Sequence, residues 1–160
     1  LDAIRVMVDA LPEDAVIGAG TIITPEDLEQ AVAAGSKFLV SPGTTPALIK
    51  AAQASSVPLL PGVATPTEAM TLLAEGFTHL KFFPAEAAGG VAMVKSIGGP
   101  LPQITFCPTG GIDLAKAPNY LALPNVACVG GTWMAPPELV AQQRWDDIQK
   151  LASEAANLAR

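Results

Sequence analysis

Short runs of consecutive apolar residues alternate along the chain with longer alanine- and leucine-rich segments, in which apolar positions recur every three or four residues. The short runs are AVIGAG (15–20), FLVSP (38–42), PLLPGV (58–63), HLKFFP (79–84), ITFCPTG (104–110) and VACVGG (126–131). They predict six strands, apolar on both faces as in a covered parallel sheet. Between them TPEDLEQAVAAG, TTPALIKAAQASS, TPTEAMTLLAEG and GGVAMVKSIGG read as helices, with further helices at Asp2 to Leu11 and Pro137 to about Ala159. This is the pattern of repeated βα units.

Helix punctuation agrees. Thr24 and Thr65 stand at N-cap positions, each followed by a proline at the first helical position and by acidic residues in the first turn. Gly35 and Gly76 close the same helices. After every predicted strand comes a Gly/Pro/Thr cluster: GAGT, SPGTT, PGVATP, FPAEAAGG, PTGGID and GGTW. Turn chemistry at every strand end points to a (β/α)8 TIM barrel with a functional rim, because an open sheet concentrates such loops at one switch point. A closed barrel needs eight strands, so either the sheet is open or this chain holds about six of the eight βα units.

Composition narrows the class. Half of the 160 residues are hydrophobic and 15% are charged, which predicts one compact globular domain over residues 1–160. A net charge of −6 with scattered lysines and arginines argues against nucleic acid and anionic membrane surfaces as partners. No apolar run approaches the roughly 20 residues of a membrane span, and the first residues lack the layout of a secretory signal, so a soluble, cytoplasmic protein is expected. Cys107 and Cys128 have no metal-ligand spacing and read as buried, reduced thiols.

Lys81 carries the candidate chemistry. It alone among the lysines is embedded in a strand-like apolar run, between Leu80 and Phe82–Phe83–Pro84. At a strand end it reads either as a snorkelling or ion-paired lysine or as a nucleophile, since desolvation favours the neutral amine that attacks a carbonyl to form a Schiff base. Downstream, Gly110–Gly111 and Gly130–Gly131 follow two successive strands, where backbone amides approach a phosphate, with Thr109 and Thr132 as adjoining hydroxyl donors. Tight βα turns use paired glycines too. His79 lies at the start of its strand and reads as structural; Glu86 orients a group near Lys81 or caps the next helix; Trp133 and Trp145 read as packing residues.

With GAGT, SPG, PLLPGVATPTEAM, LKFFPAEAAGG, FCPTGGI and VGGTW in this order, the sequence resembles the 2-keto-3-deoxy-6-phosphogluconate aldolases, class I enzymes of the Entner–Doudoroff pathway, from about Val16 to Pro136. The resemblance implies a homotrimeric (β/α)8 barrel that needs no metal or organic cofactor. Lys81 corresponds to the Schiff-base lysine, and Thr21, Pro42 and Phe83 to the lining of the pyruvate pocket. Gly110, Gly111, Gly131 and Thr132 correspond to the phosphate end, where a serine is common in place of Thr132. Family members carry two further βα units upstream of GAGT, whose second strand supplies a proton-transferring glutamate and a phosphate-binding arginine. The stretch from Leu1 resembles the helix after that strand, so a truncated or partial aldolase is expected. Three rivals stand beside this reading: a thiamin-phosphate-synthase-like barrel without imine chemistry, an aldolase acting mainly on unphosphorylated 4-hydroxy-2-oxoglutarate, and an inactive fragment.

Overall fold

In a computed structural model, which describes residues 1–158, the chain divides into two compact units, Leu1–Lys81 and a second beginning at Phe82. The first contains α1 (Asp2–Ala10), β1 (Gly18–Ala19), α2 (Pro25–Ala33), β2 (Phe38–Val40), α3 (Pro46–Ala54), β3 (Leu59–Leu60), β4 (Gly62–Val63), α4 (Pro66–Ala74) and β5 (His79–Phe82), whose last residue opens the second unit. The second contains α5 (Gly90–Gly98), β6 (Thr105–Pro108), α6 (Ala117–Leu121), α7 (Pro137–Ala141) and α8 (Trp145–Ala156). The architecture is α/β.

In the first unit β1, β2 and β3 form a parallel sheet in that order, Gly18 facing Phe38 and Leu39 facing Leu59. Its core joins Ala19, Ile22, Leu39 and Leu59 from the strands and the residues after them to Leu28 and Ala31 of α2 and to Leu48 and Ala52 of α3. Each helix pair is three or four residues apart, so one stripe of each helix meets the sheet. In the second unit Phe82 and Phe106 meet edge to face, ring centroids 6.2 Å apart, and Val94, Ile97, Ile104, Ala117 and Tyr120 are buried.

The helix starts form as the sequence predicts. The Thr24 and Thr65 hydroxyls accept from the amides of Asp27 and Glu68, whose carboxylates accept in return from the amides of Thr24 and Thr65. Both carboxyls are held below their ordinary range, chiefly by the amides of Ile23 and Ala64. Gly35 and Gly76 follow the helices at φ +100° and +91°, in the left-handed region that favours glycine.

Four expectations need correction. The run PLLPGV is two strands, because Pro61 has no amide proton to give a ladder. The run VACVGG is no strand but two isolated bridges: Phe106 faces Val126 while Thr109 faces Gly130, so one extra residue on the later segment breaks the register. The terminal helix is two, α7 and α8, divided at Gln142–Arg144 where Gln143 takes φ +55°; its expected end at Ala159 lies outside the described residues. Trp145 is 58% exposed and packs into no core. The short α6 has no counterpart among the predicted helices.

Candidate active site

In the first unit the site residues stand at strand C-termini. The pairing of Ala19 with Leu39, continued regularly, would bring the amide of Thr21 to the carbonyl of Val40, but the amide of Ile22 makes that bond at 3.0 Å. One extra residue is accommodated at Thr21, which takes φ +59°. A β-branched residue there is strained, and such strain concentrates at functional sites. The exposed Thr21 thus lies on a bulge at the end of β1.

Pro42, half-buried, follows β2. The preceding Ser41 is 0% exposed and its hydroxyl accepts from the amide of Gly62 at 3.1 Å. Thr44 Oγ1 donates to the carbonyl of Gly62 at 3.3 Å. Gly62 is required by close approach: a Cβ would lie 2.3 Å from the Pro42 carbonyl carbon. Ser41, Thr44 and Gly62 therefore fix the segment that presents Pro42.

Lys81 is the third residue of β5, and its amide donates to the carbonyl of Pro61 at 2.9 Å. Leu80 and Phe82 on either side are fully buried, and strand alternation turns Lys81 to the opposite face. Lys81 is half-buried there, less enclosed than the apolar run predicts; Phe83 is likewise half-buried and Pro84 exposed. The exposed His79 begins the same strand, its Nδ1 3.1 Å from the Thr78 hydroxyl.

In the second unit the turn Thr109–Ile112 follows β6. Gly110 and Gly111 take φ +106° and +76°. A Cβ on Gly110 would lie 3.3 Å from the Phe83 ring, and one on Gly111 2.9 Å from Cγ of Glu86, so the turn packs on the segment Phe83–Glu86. The Thr109 hydroxyl donates to the carbonyl of Cys107 at 3.3 Å and lies against Gly130, so its proton serves the turn itself. Gly131 lies against the indole of Trp133, where a Cβ would come within 1.8 Å of Cζ3, and Thr132 is exposed. Cys107 is half-buried and Cys128 exposed rather than buried, and neither forms a disulfide.

Glu86 does not cap α5, whose N-cap is Gly89 with no side-chain cap bond. Its carboxylate accepts from the Tyr120 hydroxyl at 2.5 Å and pairs with Lys116 Nζ at 3.1 Å. These contacts, Tyr120 first, hold the carboxyl below its usual range, while burial and the carboxylate push the tyrosine hydroxyl up. Tyr120 and Lys116 escape sequence reading because they sit in and beside a helix too short to show a period. Among the described residues no three His, Cys, Asp or Glu side chains gather as a metal site, and no helix is long and apolar enough to cross a membrane.

Known proteins are similar to this chain in sequence and fold. The family model "KDPG and KHG aldolase" matches residues 1–151. The 2-dehydro-3-deoxy-phosphogluconate aldolase of Pseudoalteromonas atlantica is 47% identical over 97% of this chain and 72% of its own. A crystal structure of the Legionella pneumophila KDPG aldolase, with pyruvate captured as a covalent carbinolamine, superimposes with a TM-score of 0.94 at 47% identity, over 96% of this chain and 74% of that one. The Zymomonas mobilis ZM4 aldolase with 3-phosphoglycerate gives a TM-score of 0.91 at 44% identity, over 99% and 74%. With a lysine strand, a glycine turn and a family match that runs through both, the chain belongs to the KDPG and KHG aldolase family.

Proposed function

We propose that this protein is a class I aldolase that cleaves 2-keto-3-deoxy-6-phosphogluconate to pyruvate and glyceraldehyde 3-phosphate through an imine at Lys81. The observation that carries the reading is Lys81 itself, an amine at the C-terminal end of a strand whose neighbours Leu80 and Phe82 are fully buried. Support comes from the relatives named for this activity and from the pyruvate carbinolamine in the Legionella enzyme.

The neutral amine of Lys81 adds to the C2 ketone, and loss of water from the carbinolamine leaves an iminium. As the C3–C4 bond breaks, its electron pair flows into the iminium and a base takes the proton of the C4 hydroxyl. The aldehyde departs, and protonation and hydrolysis of the remaining enamine release pyruvate. Thr21 holds the pyruvyl carboxylate, Pro42 and Phe83 exclude water, and Gly110, Gly111, Gly131 and Thr132 hold the phosphate. Thr109 serves the phosphate through the turn it braces. The proton transfers belong to the glutamate that the family carries upstream of GAGT. The chemistry needs no metal or organic cofactor, because the iminium is the electron sink.

The same enzyme cleaves 4-hydroxy-2-oxoglutarate to pyruvate and glyoxylate, a reading favoured by a family that joins both substrates under one model. Residues 1–160 contribute about six units to a single (β/α)8 catalytic domain that works as a homotrimer in the cytoplasm. A coupled assay for pyruvate release from both substrates tests the reading. Release from the phosphorylated substrate at a higher kcat/KM supports it; release from neither contradicts it.

A further inference from the structure

We infer that Lys116, Glu86 and Tyr120 form a positioning clamp that presets the Gly110–Gly111 turn for a phosphate and so sets the preference for phosphorylated over unphosphorylated substrate. The inference rests on the reading of that turn as the phosphate end of the site.

Three successive carbonyls of the turn are each tied down. Thr109 O accepts from the Ala85 amide at 2.8 Å, Gly110 O from the Glu86 amide at 3.1 Å, and Gly111 O from Lys116 Nζ at 2.8 Å. In a planar trans peptide the N–H points opposite to the preceding carbonyl. Anchoring these three carbonyls therefore turns the amides of Gly110, Gly111 and Ile112 the other way, as three neighbouring donors. Those of Gly111 and Ile112 donate to no protein group among the described residues, while that of Gly110 faces the Gly130 carbonyl across the Thr109–Gly130 bridge, leaving two adjacent open donors. Successive amides arranged in this way form an anion-binding nest.

Two of the three anchors are backbone groups and form whatever the side chains. The third depends on Lys116, a long flexible side chain that would otherwise spread over many rotamers. The Glu86 carboxylate holds it at 3.1 Å, with Asp113 4.0 Å away, and the buried Tyr120 fixes Glu86 through its hydroxyl at 2.5 Å. Glu86 also supports Gly111 through its Cβ and Cγ. Without the third anchor the Gly111–Ile112 peptide is free to rotate, and its ordering is charged against phosphate binding. Lys116 acts from the carbonyl side of the turn, opposite the amides, so it positions the donors rather than meeting the phosphate. It also neutralises the Glu86 charge, which would otherwise oppose an anion.

The test uses the complete protein with Lys116→Met, Lys116→Arg, Glu86→Met and Tyr120→Phe. It measures kcat and KM for both substrates, inhibition by inorganic phosphate, and borohydride trapping of pyruvate. Lys116→Met should raise KM for the phosphorylated substrate about tenfold, leave KM for 4-hydroxy-2-oxoglutarate and pyruvate trapping within about twofold, and be largely rescued by arginine. Tyr120→Phe should move the same KM in the same direction. Glu86→Met keeps the packing under Gly111 and adds one unit of positive charge. The clamp predicts weaker phosphate binding, whereas direct contact between Lys116 and phosphate predicts tighter binding. Tighter binding in Glu86→Met, an unchanged KM in Lys116→Met, or equal losses on both substrates would each overturn the clamp while a phosphate-preferring wild type stands. A wild type that neither prefers the phosphorylated substrate nor is inhibited by phosphate would remove the phosphate site and the clamp together.

Discussion

The amide of Ile22 bonds to the carbonyl of Val40 at 3.0 Å, in the place that regular pairing assigns to Thr21. Thr21 is left on a bulge at φ +59°. Left-handed backbone costs about 1–2 kcal/mol for a residue with a Cβ, and glycine escapes that cost while losing about 0.5–1 kcal/mol through chain entropy. Thr21→Gly should therefore fold with stability within about 1 kcal/mol of the wild type while KM for substrate rises about tenfold through the lost hydroxyl contact. Denaturant melts and steady-state kinetics on one preparation check both halves. A large loss of stability would show the bulge to be structural.

Gly62→Ala tests the packing that presents Pro42. The added methyl meets backbone atoms of Pro42 at 2.3 Å, so the segment must move. A loss on the order of 1–3 kcal/mol is expected, together with slower pyruvate trapping. Thermal melts and trapping rates that both match the wild type would refute the close approach.

At Gly111 a branched side chain suffers twice, from φ +76° and from contact with Glu86 at 2.9 Å. Gly111→Val should weaken inhibition by inorganic phosphate and raise KM for the phosphorylated substrate far more than for 4-hydroxy-2-oxoglutarate. Parallel losses for the two substrates would remove the turn from phosphate binding.

Acid stability follows from the capping boxes. Glu68 titrates below its ordinary 4.5 in the folded protein, so its contribution is complete above that value and is lost as pH falls through the lower folded pKa. Wild type should exceed Glu68→Gln in stability by a constant margin above about pH 5.5, with the gap closing below about pH 4. A gap that widens on acidification would reverse the sign. Thermal melts of both proteins across that range decide it.

The elements differ in how plainly the sequence announces them. Thr24 and Thr65 mark helix starts because cap, proline and acidic partner all lie within four residues, and such contacts need no tertiary context. Lys81 is legible because a charge inside an apolar run has few explanations. The split of PLLPGV into β3 and β4 is less so, and the Ser41 hydroxyl receives the Gly62 amide only once residues twenty-one apart have met. The link between Glu86 and Tyr120 spans thirty-four residues and has no local pattern at all. At Cys128 and Trp145 apolar character pointed to burial, and both are exposed in the structure.

The central claim is the imine at Lys81, and the most direct measurement is borohydride reduction of the complete protein in the presence of pyruvate, followed by peptide mass mapping. A single adduct on Lys81, absent from Lys81→Met, is the predicted result. An adduct of similar yield on another lysine in that variant, or no adduct in the wild type, would contradict it.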